Sequence, residues 1–104
     1  MMTEIPAAIL CFEQFAECGI DTAIIGLNDL TAFTLGSLRN SPFYNNGHPS
    51  VVKMMEMLVT KAKAAGVHTI VAGRHTPATI ENAMRLGFDA VTIFVPDLLN
   101  ALRV

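Results

Sequence analysis

Four short runs of strand-forming residues alternate with four stretches of helical periodicity along these 104 residues, and this alternation restricts the fold more than any other feature. Met2 to Ile5 reads as a first strand, with Pro6 suited to the first position of a helix over Ala7 to Glu17. That helix carries Ile9, Leu10, Phe12 and Phe15 and is stopped by Gly19. Thr22 to Ile25 is a second strand, leading through Gly26, Leu27, Asn28 and Asp29 to a short helical turn over Leu30 to Leu35. The segment from Gly36 to Gly47 holds Pro42, Asn45 and Asn46, which is loop chemistry. Pro49 then opens a helix to Ala65 with Val51, Val52, Met55, Leu58, Val59 and Ala62 on its apolar face and Gly66 as its stop. Val67 to Ala72 is a third strand. Thr76 and Pro77 form an N-cap and N1 pair for a helix ending at Leu86 and Gly87. Ala90 to Phe94 is the fourth strand, and Pro96 to Leu102 a closing helix.

Strands separated by helices pair in parallel through right-handed crossovers, so the expected fold class is α/β, a parallel (βα)4 unit in one domain over residues 1–104. The hydrophobic fraction is 52% against 15% charged residues, which implies apolar surface awaiting a partner. Unprotected edge strands point the same way: two such units edge to edge supply eight strands, the number in a (β/α)8 barrel. A homo-oligomer, or a partner chain supplying the other half, is therefore expected. Seven Lys and Arg spread along a chain of net charge −2 exclude a nucleic-acid footprint. No apolar run reaches the roughly 18 residues of a membrane span, and the N-terminus lacks the basic region of a signal peptide, so a cytoplasmic location is expected. Cys11 and Cys18 lie two turns apart on one helix, more than roughly 10 Å from each other, and are expected to be buried free thiols rather than reactive cysteines.

The chemistry-bearing residues cluster after the strands. Glu4 sits at the end of the first and Asp29 after the second, and ends of parallel strands share one face, so two carboxylates there reach one hard cation, Mg²⁺ or Mn²⁺. Structural alternatives stand beside this: a solvated strand-end charge for Glu4 and an N-cap for Asp29. Asn28 reads as a turn residue or a ligand-orienting amide. Gly26 reads as a position needing φ freedom or one leaving room for a substrate. Arg74 and His75 follow the third strand on the same face, where they suit a carboxylate clamp and a base, or merely a polar loop. His48 reads as a helix opener and His68 carries no signal. Met54, Met55 and Met57 read as core and interface filling.

Taken in order, Glu4 to Ala8, Ile24 to Gly36, Gly47 to Val51 and Gly87 to Ile93 resemble the phosphoenolpyruvate/pyruvate-binding barrel superfamily, over nearly the whole chain. The resemblance implies the second half of a TIM barrel, strands five to eight, with Glu4 and Asp29 as metal ligands around a 2-oxoacid. Two branches compete. Asn28 to Thr31 and Thr34 to Gly36 look like the phosphoenolpyruvate-utilising enzymes. Gly47 to Pro49, Gly87 to Ile93 and Asp97 to Leu99 look like the HpcH/HpaI aldolase and citrate lyase group. The phosphoenolpyruvate-utilising branch carries Cys-Gly-Glu where this chain has Ala72, Gly73 and Arg74, and the cysteine is its proton donor. That departure favours the aldolase branch, with metal-dependent carbon–carbon cleavage as the expected activity. Leu27 also stands where the superfamily has a small or polar residue. The arginine and histidine that complete an aldolase site belong to the barrel's first half. Activity is therefore expected only in an assembly. The alternatives are a relict phosphoenolpyruvate-utilising domain and a non-catalytic interaction module on the same scaffold.

Overall fold

A computed structural model describes residues 1–36, 45, 47–73 and 77–92. Its elements run β1 (Met2–Thr3), α1 (Pro6–Leu10), α2 (Phe12–Ala16), β2 (Thr22–Gly26), α3 (Leu27–Leu35), α4 (Pro49–Ala65), β3 (His68–Ala72), α5 (Pro77–Leu86) and β4 (Ala90–Val91). The four strands form one parallel sheet in the order β1-β2-β3-β4. This is the expected parallel α/β arrangement, consistent with half of a barrel. The expected closing helix over Pro96 to Leu102, most of the Gly36 to Gly47 loop and the Thr76 cap lie outside the described residues.

Register sorts the side chains into two faces. Thr3, Ile25, Val71 and Val91 form one row across the sheet; Met2, Ile24, Ile70 and Ala90 form the next. Successive residues of a strand point to opposite faces, so these rows lie on opposite sides. Thr3, Ile25 and Val71 are wholly buried, whereas Met2 is 50% exposed and Ile24, Ile70 and Ala90 keep partial exposure. Among the described residues, sequential strand order with right-handed crossovers places the helices on the first side and leaves the second uncovered by helices. Thr3 tolerates burial because its hydroxyl donates to the Ile24 carbonyl at 2.9 Å.

The core lies between the covered face and α4. Val51, Met55, Leu58, Val59 and Ala62 follow helical spacing along α4 and are all buried, joined by Ile9, Phe12, Leu27 and Leu30. Burying each large side chain of this kind contributes about 1.5–3 kcal/mol. Pro49 occupies the first turn of α4, and His48 Nδ1 accepts a hydrogen bond from the Ser50 amide at 3.1 Å, the opening role expected of it. Gly66 ends the helix in the left-handed conformation, φ 70°, where its amide and that of Val67 reach carbonyls of the last turn.

The first helical segment departs from expectation. The run from Ala7 to Glu17 breaks at Cys11, φ −102° and ψ 20°, into α1 and α2. Lys61 holds the break: its Nζ donates to the carbonyls of Ile9 and Leu10 at 3.0 Å each and to the Glu13 carboxylate at 3.3 Å. The break alters which residues face inward. Ile9 and Phe12 are buried, while Leu10 and Phe15 are exposed. Cys11 and Cys18 are also exposed, contrary to the expectation of buried thiols.

At the amino ends of the strands, Asp89 ties β4 to β3. Its carboxylate accepts from the Thr69 amide at 2.8 Å and the Thr69 hydroxyl at 3.2 Å, and lies 3.5 Å from His68 Nδ1. His68 thus has a partner that its sequence position did not disclose. The Thr69 amide is the main cause holding the Asp89 carboxyl below its ordinary range, with the Thr69 hydroxyl, His68 and Lys63 adding to it against partial desolvation. A carboxyl depressed in the folded state adds stability above its unfolded pKa of about 4, and that stability is lost as pH falls through the lower folded value. Glu13 is depressed as well, first by a backbone hydrogen bond and then by Lys61, so its contribution has the same sign. The Asp89→Asn variant is expected to lose less of its urea midpoint than wild type between pH 5 and pH 3, as these pKa values imply. Equal losses in both proteins would show that the latch does not discriminate charge.

Candidate functional site

The carboxyl ends of β1, β2 and β3 enclose a cleft of about 150 Å³ lined by Met2, Glu4, Gly26, Asn28, Asp29, Ala72 and Gly73. Four of the residues singled out from the sequence, Glu4, Gly26, Asn28 and Asp29, therefore meet in one place. Parallel pairing accounts for this: Thr3 is level with Ile25, so Glu4, one residue on, comes level with Gly26, which pairs with Ala72. Arg74 and His75 follow directly on Gly73 and lie outside the described residues.

Gly26 is explained by contact rather than by backbone freedom. Its φ of −85° is open to any residue. A Cβ placed there, however, would stand 2.7 Å from Glu4 Cγ and 3.2 Å from both Glu4 Cδ and Oε1. The glycine is the floor on which the Glu4 side chain lies. Helix α3 starts sooner than expected, at Leu27 with Gly26 as its N-cap, so Asn28 and Asp29 belong to the first helical turn. Neither is the turn or N-cap residue of the structural alternatives. A negative side chain in a helix's first turn is favoured by the helix dipole, which helps seat the Asp29 carboxylate at the cleft.

Leu27, out of pattern in sequence, is 1% exposed and belongs to the core, so it does not intrude on the cleft. Ala72 presents only a methyl group there. Among the described residues no group of three or more His, Cys, Asp or Glu side chains converges on a common point. The hard oxygen donors of the cleft are those of Glu4, Asp29 and the Asn28 amide. Two carboxylates with open space between strand ends fit a hard divalent cation that keeps part of its coordination for water and substrate. They do not fit a closed structural metal centre.

Side chains gathered at the carboxyl ends of parallel strands are the arrangement in which open α/β domains hold small ligands. Residues 1–103 match the family described as PEP-utilising enzyme, PEP-binding domain, where PEP is phosphoenolpyruvate. The chain belongs to that family. It is 35% identical to the probable phosphoenolpyruvate synthases of Archaeoglobus fulgidus and Methanocaldococcus jannaschii, and 30% identical to the phosphoenolpyruvate-protein phosphotransferase of Chlamydia trachomatis. Each match covers 99% of this chain but only 14%, 9% and 19% of the respective relative. The preference for the HpcH/HpaI branch gives way to this. It rested heavily on the missing cysteine at Ala72, a single position, and the similarity along the whole chain runs to the phosphoenolpyruvate-utilising enzymes.

Proposed function

We propose that this chain forms the metal and enolpyruvate-binding part of a phosphoenolpyruvate-utilising domain, as the second half of a (β/α)8 barrel. One observation carries the reading: Glu4 and Asp29, on different strand ends, line the same cleft in a chain of this family. Glu4 and Asp29 would hold Mg²⁺ or Mn²⁺, whose positive charge supports the oxygens of phosphoenolpyruvate, pyruvate or its enolate. Asn28 orients the ligand by donating from its amide, and Gly26 keeps the Glu4 carboxylate in place. Arg74 and His75, next along the chain from the cleft, are assigned the substrate carboxylate and a proton-transfer role.

Ala72 supplies no proton from its own position, so this half binds and orients the ligand and depends on other groups for complete phosphoryl transfer. Among the described residues no helix is long and apolar enough to cross a membrane. Carbon–carbon cleavage, the aldolase reading, has no support of its own in the cleft, and no release of pyruvate from a 4-hydroxy-2-oxoacid is expected.

Calorimetric titration with Mn²⁺ followed by oxalate, a mimic of the enolate, tests the assignment. Wild type is expected to bind both. Asp29→Asn and Glu4→Gln are expected to weaken Mn²⁺ by more than the roughly 10–100-fold typical of losing a supporting residue. Equal affinity in folded wild type and both variants would remove these carboxylates from the site.

A further inference from the structure

We propose that Ala72 is a specificity-determining residue of the cleft, its small side chain leaving room for 2-oxoacids and enolpyruvates that carry a substituent on the third carbon. The inference rests on the proposed site and deepens it, by naming what the far end of the ligand meets.

Register decides which residues share the cleft. Gly26 pairs with Ala72, and Glu4 comes level with Gly26, so the three form one row across β1, β2 and β3. Ile25 and Val71, one residue earlier on their strands, are wholly buried on the helix-covered face. The row of Glu4, Gly26 and Ala72 therefore belongs to the opposite face.

The row is filled unevenly. Glu4 leans from β1 over β2, with its Cγ, Cδ and Oε1 all within 3.2 Å of where a Cβ on Gly26 would stand. Asp29, in the first turn of the helix that leaves β2, lines the same cleft. Both carboxylates thus belong to the β1 and β2 side. One strand further on, about 4.8 Å away, the described lining is only the Ala72 methyl group and the backbone of Gly73. The cleft extends over the end of β3, and Ala72 sets its depth there.

The chemistry of the ligand gives it a direction. A 2-oxoacid offers its carboxylate and keto oxygens to a cation held by Glu4 and Asp29. Its third carbon faces away from those oxygens, and within this cleft that direction leads to the end of β3. Arg74, further along the chain, keeps its assignment to the substrate carboxylate. Ala72 offers the third carbon no hydrogen bond, so selection at this point is by size alone. A side chain one or two carbons larger would take up the space that a substituent needs.

Calorimetric titration of the Mn²⁺-loaded chain with oxalate, pyruvate and 2-oxobutyrate tests the assignment. Oxalate has no third carbon and reads the metal site by itself. Wild type is expected to bind 2-oxobutyrate to within about tenfold of pyruvate, because a methylene that fits is not rejected. Ala72→Val is expected to weaken 2-oxobutyrate relative to pyruvate by a further roughly tenfold or more, the lower end of the effect of one misfitted methylene, with oxalate unchanged. Ala72→Ser, close to alanine in size, should keep the wild-type ratio, and circular dichroism checks that both variants fold. A wild type that already rejects 2-oxobutyrate would overturn the inference with no variant needed. An unchanged ratio in folded Ala72→Val would overturn it too. In either case intact oxalate binding would leave the metal site standing, whereas loss of oxalate binding in folded wild type would remove the site and this inference together.

Discussion

Gly26→Ala is expected to leave the fold intact and to weaken Mn²⁺ binding roughly tenfold or more, the range seen when a group that orients a metal ligand is lost. The added methyl would sit 2.7 Å from Glu4 Cγ, closer than carbon atoms approach, and so the Glu4 side chain must leave its place. Swinging a partly exposed carboxylate aside costs the fold little. Alanine is at ease at φ −85°, and it also loses less conformational entropy on folding than glycine. Stability should therefore stay within about 1 kcal/mol of wild type. Thermal unfolding and Mn²⁺ calorimetry on the same sample separate the two effects. Unchanged metal affinity would mean that the position of Glu4 over Gly26 is irrelevant to binding.

The largest stability effect is expected from Phe12→Ala, a loss of about 3–5 kcal/mol, because the ring is wholly buried between α2 and α4 and its removal leaves a cavity. For a domain of this size such a loss lowers the melting temperature on the order of 20 °C. Phe15→Ala, three residues along in the same helix, is the control. Its ring is 43% exposed, and its loss should cost far less. Equal destabilisation by the two variants would contradict the inward rotation produced by the break at Cys11.

That pair of phenylalanines shows where the sequence was legible and where it was not. The α4 helix was readable from Pro49 to Ala65, because its proline start, glycine stop and apolar spacing all agree with one another and with the core it joins. The first helical segment has the same apolar spacing but no local signal for its break. The stabilising contacts come from Lys61, some fifty residues away, and a contact at that separation leaves no trace in local periodicity. Cys11, exposed, sits at the break itself.

The site was legible to the extent that topology decides it. Residues following parallel strands gather at one end of the sheet, and Glu4, Gly26, Asn28 and Asp29 do so. What Gly26 is for was not legible, because the reason is the Glu4 side chain passing over it from another strand. Nor was the latch between His68, Thr69 and Asp89, which joins residues about twenty apart through the register of β3 and β4. The family is readable in outline, but the branch is not: Ala72 departs toward the aldolases, while the whole chain matches the phosphoenolpyruvate-utilising enzymes.

Paramagnetic broadening of amide resonances by substoichiometric Mn²⁺ bears most directly on the proposed site. Signals of Glu4, Gly26, Asn28, Asp29 and Gly73 are expected to broaden first, and Asp29→Asn is expected to abolish the effect. Broadening centred instead on His68 and Asp89 at the opposite end of the strands, or none in a folded sample, would contradict a divalent-cation site at the carboxyl ends of the sheet.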